Sequence, residues 1–99
     1  MSQKTILVID DDPVLVRLIE YNLKDAGYVV FTSNNGQCGL KQFYEHKPAL
    51  VVLDINMPAM DGWTTCQRIR EVSDTPIIML TAQVQKEDIV KGLDLGADD

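Results

Sequence analysis

With 99 residues, 45% of them hydrophobic and 24% charged, the chain has the makeup of one small globular domain, not of a disordered tail or a disulfide scaffold. The formal net charge of −6 opposes contact with DNA, RNA or anionic lipid, which Lys and Arg must drive by neutralising phosphates, so any nucleic-acid function is expected outside these residues. No apolar run nears the ~20 residues that span a membrane, and Met1-Ser2-Gln3-Lys4 has neither a charged leader nor a cleavage pattern, so the expected location is cytoplasmic.

Strand and helix signals then alternate from end to end. Thr5–Ile9 reads as a strand. The helix after it has Asp12 and Pro13 suited to its N-cap and first position, Leu15, Leu18, Ile19, Leu23 and Ala26 at helical spacing, and Gly27 as its stop. Residues 29–32 read as a second strand, and Leu40, Phe43 and Tyr44 mark the buried side of a second helix, which Pro48 separates from strand three. Continuous apolar runs at 50–53 and 76–80 end in Asp54 and Thr81 and suit strands covered on both faces. Between them Trp63, Cys66 and Ile69 repeat with helical spacing, and a last helix is expected over 86–95, with Ile89, Val90 and Leu93 inward and Gly96 as its stop. Cys38 and Cys66 lack metal-type spacing and His46 is the single histidine, so reduced structural thiols are expected, with a disulfide as the alternative.

Strict alternation implies parallel strands joined by right-handed crossovers, which brings the C-terminal end of every strand to one edge of the sheet. Asp10 and Asp11 follow strand one, Asp54 ends strand three and Thr81 ends strand four, so these groups should gather on one rim, where open α/β sheets bind ligands.

Three carboxylates within about 4 to 5 Å repel one another by a few kcal/mol per pair, and a cation is the natural remedy. Hard oxygen ligands with no Cys or His nearby select Mg²⁺ or another hard divalent ion, which keeps several waters and leaves room for a phosphate oxygen. Asp12 is accounted for as a helix cap, but a cap needs one acid and not three. Beside such an ion a carboxylate is held ionised and aimed, which gives Asp54 the attributes of a phosphoryl acceptor. Thr81 is placed to hydrogen-bond a phosphoryl oxygen, and Lys86 is read as a solvated helix residue.

The runs Ile6-Leu7-Val8-Ile9-Asp10-Asp11-Asp12, Val51-Val52-Leu53-Asp54-Ile55-Asn56-Met57-Pro58, Met60-Asp61-Gly62 and Leu80-Thr81-Ala82 closely resemble response-regulator receiver domains, in order and over the whole chain. The resemblance implies that Asp10 and Asp11 are the acidic metal pair for Mg²⁺, that Asp54 accepts the phosphoryl group, that Asn56 offers its backbone carbonyl to the metal and that Thr81 is the switch hydroxyl. A phosphohistidine on a sensor histidine kinase is the implied donor. The implied fold is a flavodoxin-like doubly wound parallel sheet of order 2-1-3-4-5, which sets strands one and three side by side and Asp11 across from Asp54. The tail from Gly92 to Asp99 is similar to the stretch before the family's fifth strand, especially in regulators with a winged-helix DNA-binding domain.

Residues 1–99 are therefore expected to be one receiver domain truncated at its C-terminus, without the fifth strand, its switch aromatic, the Lys-Pro that supplies the phosphate-binding lysine, and the fifth helix. Slow phosphorylation and self-association follow as expectations, either through the edge of strand four (Ile77, Ile78, Met79 and Leu80) or by exchange of elements. Rival readings are an aspartyl-nucleophile phosphatase of the haloacid-dehalogenase type, for which Asp10 and Asp12 have the spacing, a flavodoxin-like nucleotide binder, and a non-phosphorylated interaction module. The first leaves Asp54 and the Met57-Pro58 and Asp61-Gly62 turns unexplained, and Asp10-Asp11-Asp12 has the wrong charge for a phosphate loop.

Overall fold

The computed structural model describes residues 4–54 and 62–80. Along them run β1 (Thr5–Ile9), α1 (Pro13–Asp25), β2 (Val29–Ser33), α2 (Gly36–His46), β3 (Leu50–Asp54), α3 (Gly62–Arg70) and β4 (Ile77–Leu80). The four strands are parallel in the order β2-β1-β3-β4. The expected last helix at 86–95 lies outside the described residues, as do Thr81, Asn56, Met57-Pro58, Asp61 and the tail.

Successive side chains of a strand point to opposite faces, and the buried residues sort accordingly into two layers. Ile6, Val8, Leu50 and Val52 pack with Ile19 and Leu23 of α1 on one face. Leu7, Ile9, Val51 and Leu53 meet Leu40 and Phe43 of α2 and Ile69 of α3 on the other. β1 and the apolar part of β3 are thus covered on both sides, which is why they are written as unbroken apolar runs.

The ends of the helices follow local chemistry. Asp12 is the N-cap of α1, its carboxylate accepting from the Val14 and Leu15 amides, and Pro13 opens the first turn. Gly27, at φ 99°, reverses the chain after α1 in a conformation that glycine adopts without strain. Asn35 caps α2 by accepting from the Cys38 amide at 2.7 Å, and Lys47 closes it in the left-handed region at φ 46°. Arg70 donates to the Thr75 carbonyl across the turn from α3 to β4.

Helical spacing did not always mark the buried face. Leu18 and Ala26 of α1 are exposed while Val16 packs on the core, and Tyr44 and Trp63 also face outward. Thr65, fully buried, occupies a place on α3 that apolar periodicity had not indicated. β2 runs one residue further than expected, because Ser33 still pairs with Ile9. Among the described residues no helix is long and apolar enough to cross a membrane. Cys38 and Cys66 are both free thiols.

Candidate functional site

The register that pairs Ile9 with Leu53 places Asp10, the residue after β1, level with Asp54 at the C-terminal end of β3. Asp10 is only 2% exposed, Asp54 is half-buried and Asp11 faces solvent. One carboxylate oxygen from each of the three lies within 4.8 Å of the others, a separation at which like charges call for a cation. The direct neighbour of Asp54 is Asp10, which shares a hydrogen bond with it; Asp11 completes the cluster from the exposed side.

The backbone fixes the acids from below. The Asp10 amide donates to the Ser33 carbonyl at 3.0 Å, extending the β1–β2 ladder by one rung, and the Asp12 amide donates to Asp10 Oδ1 at 2.9 Å. Burial pushes the Asp10 carboxyl up from 3.8 to about 6; the Asp12 amide works against the shift, and the negative charge and hydrogen bond of Asp54 and the charge of Asp11 add to it. Without a counter-charge the cluster thus holds a proton more readily than a lone Asp does. A divalent cation relieves the same repulsion, and an all-oxygen donor set of this kind fits a hard ion such as Mg²⁺.

Beside the acids, on the β1–β2 side of the rim, a cleft of about 550 Å³ is lined by Asp10, Asp11, Arg17, Ser33, Asn34 and Cys38, among others. Ser33 and Asn34 carry no signal in the sequence, because a polar residue at a strand end has no periodicity to distinguish it from a turn. Asp12 is engaged as a helix cap through Oδ1, which accounts for its place in the sequence without an acid/base role.

Of the residues expected at the site, Asp10, Asp11 and Asp54 are brought together, while Asn56 and Thr81 lie outside the described residues. An open parallel sheet of this order, with carboxylates on its C-terminal rim beside the strand-order reversal, defines the flavodoxin-like doubly wound class. Within that class, the chain belongs to the response regulator receiver domain family, whose model matches residues 6–99, and is a signalling switch of the two-component type.

Receiver domains bind Mg²⁺ at an acidic pocket, and the described residues here include an acidic cluster of Asp10, Asp11 and Asp54. The chain is 46% identical over 98 residues to a probable transcriptional regulator, ycf27, of Pyropia yezoensis, covering 99% of this chain and 40% of that protein. It therefore spans about two-fifths of the length of the curated relatives it matches. Among solved structures, the N-terminal domain of a response regulator receiver protein from Methanoculleus marisnigri is similar, with a TM-score of 0.79 and 37% identity over 98% of this chain and 80% of that one. The response regulator TrrA, solved in complex with the histidine kinase ThkA, has a TM-score of 0.76 and 39% identity over 84% of this chain and 72% of its own.

Proposed function

We propose that Asp54 is the phosphoacceptor and that a phosphohistidine on a sensor histidine kinase is its donor. The observation that carries this reading is the convergence of the Asp10, Asp11 and Asp54 carboxylates within 4.8 Å on the C-terminal rim of a parallel sheet. Asp10, Asp11 and Asp54 would hold Mg²⁺ together with the backbone carbonyl of Asn56. The bound ion supplies positive charge against the carboxylates and the incoming phosphoryl oxygens. An Asp54 carboxylate oxygen attacks phosphorus in line, the new O–P bond forming as the N–P bond to the donor imidazole breaks, and the released ring nitrogen keeps the bonding pair and takes up a proton. Thr81 then donates its hydroxyl to a phosphoryl oxygen, reporting the modification to the surface. Slow autodephosphorylation, by attack of water on phosphorus, resets the acyl phosphate.

The relatives that extend well beyond this length are named as transcriptional regulators, and we read the segment as the cytoplasmic input of such a regulator, with its output in a neighbouring part of the protein. The net charge of −6 keeps the segment itself off nucleic acid. As a separate 99-residue polypeptide it is expected to be a receiver domain short of the family's C-terminal elements and to self-associate, since β4 is the outermost strand of the described sheet and its Ile77, Ile78 and Met79 remain partly exposed.

Incubation with a small-molecule phosphodonor and Mg²⁺ tests the acceptor role. The chain should gain one phosphoryl mass and Asp54→Asn none; label retained in that variant would assign the chemistry to another residue.

A further inference from the structure

One side chain outside the acidic cluster is hydrogen-bonded to the strand end that holds the Asp10 amide. Gln42, half-buried on α2, donates from Nε2 to the Thr32 carbonyl and, at 2.6 Å, to the Ser33 hydroxyl. Successive carbonyls of a strand point to opposite sides. Because the Ser33 carbonyl is committed to the Asp10 amide, that of Thr32 faces away from β1, at the sheet edge where the described residues supply no further strand. Gln42 provides the donor that an adjoining strand would have provided. A carbonyl can only accept, so the amide must present its nitrogen here, and the orientation of Gln42 is fixed by chemistry. The Ser33 hydroxyl, 5% exposed as part of its residue, accepts from Gln42 and donates to Cys38 Sγ at 3.3 Å, which ties the strand end to a second point of α2.

We propose that Gln42 is a positioning residue for the acidic cluster: by fastening Thr32 and Ser33 to α2, it fixes the end of β2 that holds the Asp10 backbone, and so sets where Asp10 and Asp11 stand relative to Asp54. The inference rests on the reading of that cluster as a Mg²⁺ site. Its physical basis is that the three carboxylates repel one another and separate unless the backbone beneath them is held. The Asp10 amide reaches β2 through a single bond to Ser33, and Ser33 in turn has Gln42 as the partner of its hydroxyl. Groups bonded directly to metal ligands typically change metal affinity 10- to 100-fold when lost. Gln42 stands one bond further out, and a smaller effect of about three- to tenfold is expected.

The test is a Mg²⁺ titration of the 99-residue chain followed through the Asp10 and Asp11 amide resonances, with amide exchange and urea denaturation measured on the same samples. Gln42→Met, which keeps the length of the side chain and removes both donated bonds, should weaken Mg²⁺ binding about three- to tenfold and speed exchange of the Asp10 amide relative to that of Ile6. Gln42→Lys, which keeps donors at similar reach, should restore both. Tyr28→Ala, which thins the core at the other end of β2, should lower the urea midpoint and leave Mg²⁺ affinity unchanged. An unaltered affinity in Gln42→Met overturns the proposal, as does a Gln42→Lys variant as weak as Gln42→Met, which would trace the effect to packing alone. If the unmodified chain gives no response to Mg²⁺, the metal reading itself fails; an Asp10 exchange rate unaltered in Gln42→Met would then reject the positioning role separately. Should Gln42→Met not fold, Gln42→Ala takes its place with the same expectations.

Discussion

A carboxyl that is 2% exposed and has two other carboxylates as neighbours is an expensive group for a small domain to carry. Its proton is the cheapest remedy when no cation is present, which is why Asp10 is pushed up to about 6. Because the folded value lies above the ordinary 3.8, the stability linked to Asp10 is fully present below 3.8 and is lost as pH rises through about 6. Proton and Mg²⁺ compete for the same oxygens, so Mg²⁺ affinity should climb as pH rises through that range. Urea denaturation at about pH 5 and about pH 7, with and without Mg²⁺, checks both signs. The metal-free chain should be the less stable at the higher pH, Mg²⁺ should stabilise it mainly there, and Asp10→Asn should flatten the metal-free dependence. Asp12, next but one in sequence, illustrates how position divides similar residues into roles. Its side chain caps α1, a function legible from Asp-Pro alone, whereas the hydrogen bond between Asp10 and Asp54 depends on strand adjacency.

Each helix meets the sheet through a few side chains, and α2 lies close against Ile9 of β1 at Gly39. A Cβ there would lie 2.4 Å from Cδ1 and 2.8 Å from Cγ1 of Ile9, closer than carbon atoms tolerate. Ile9 is fully buried and precedes Asp10, so it has little room to yield. Gly39→Ala should therefore destabilise the fold by about 1 to 3 kcal/mol through overpacking, outweighing the ~1 kcal/mol that alanine contributes by helix propensity. A urea midpoint equal to or above that of the unmodified chain would show that α2 can move outward without loss. The strands were legible because burial on both faces demands unbroken apolar runs. The helix faces were less so. Leu18, Tyr44 and Trp63 satisfy a 3.6-residue period from the chemistry of their side chains, yet Leu18, for example, stands one step around the helix from Ile19, the residue that reaches the sheet. Apolar character at helical spacing says that a residue can be buried, not which of two adjacent ones will be.

For the molecule as a whole, alternation of elements was enough to predict a parallel sheet and a polar rim, but many strand orders satisfy it. The adjacency of β1 and β3 follows from family resemblance, which set Asp11 across from Asp54, whereas the acid hydrogen-bonded to Asp54 is Asp10. The link from Gln42 to Ser33 and on to Asp10 was not foreseen, since nothing in the spacing of a helix glutamine and a strand-end serine reveals that they touch. At this scale β4, the outermost strand of the described sheet, matters too. Sedimentation of the 99-residue polypeptide over a wide concentration range should show association that grows with concentration, and a compact monomer throughout would reject pairing through β4. Phosphorylation of Asp54 leaves a chemical record at one position. An aspartyl phosphate is reduced by borohydride to homoserine, so the chain should be treated with a phosphodonor and Mg²⁺, reduced, digested and sequenced by tandem mass spectrometry. Homoserine is expected at position 54 alone, and none when a chelator removes the metal. Homoserine at position 10, 11 or 12, or at 54 to the same extent without Mg²⁺, would contradict phosphorylation of Asp54 at a metal-dependent site.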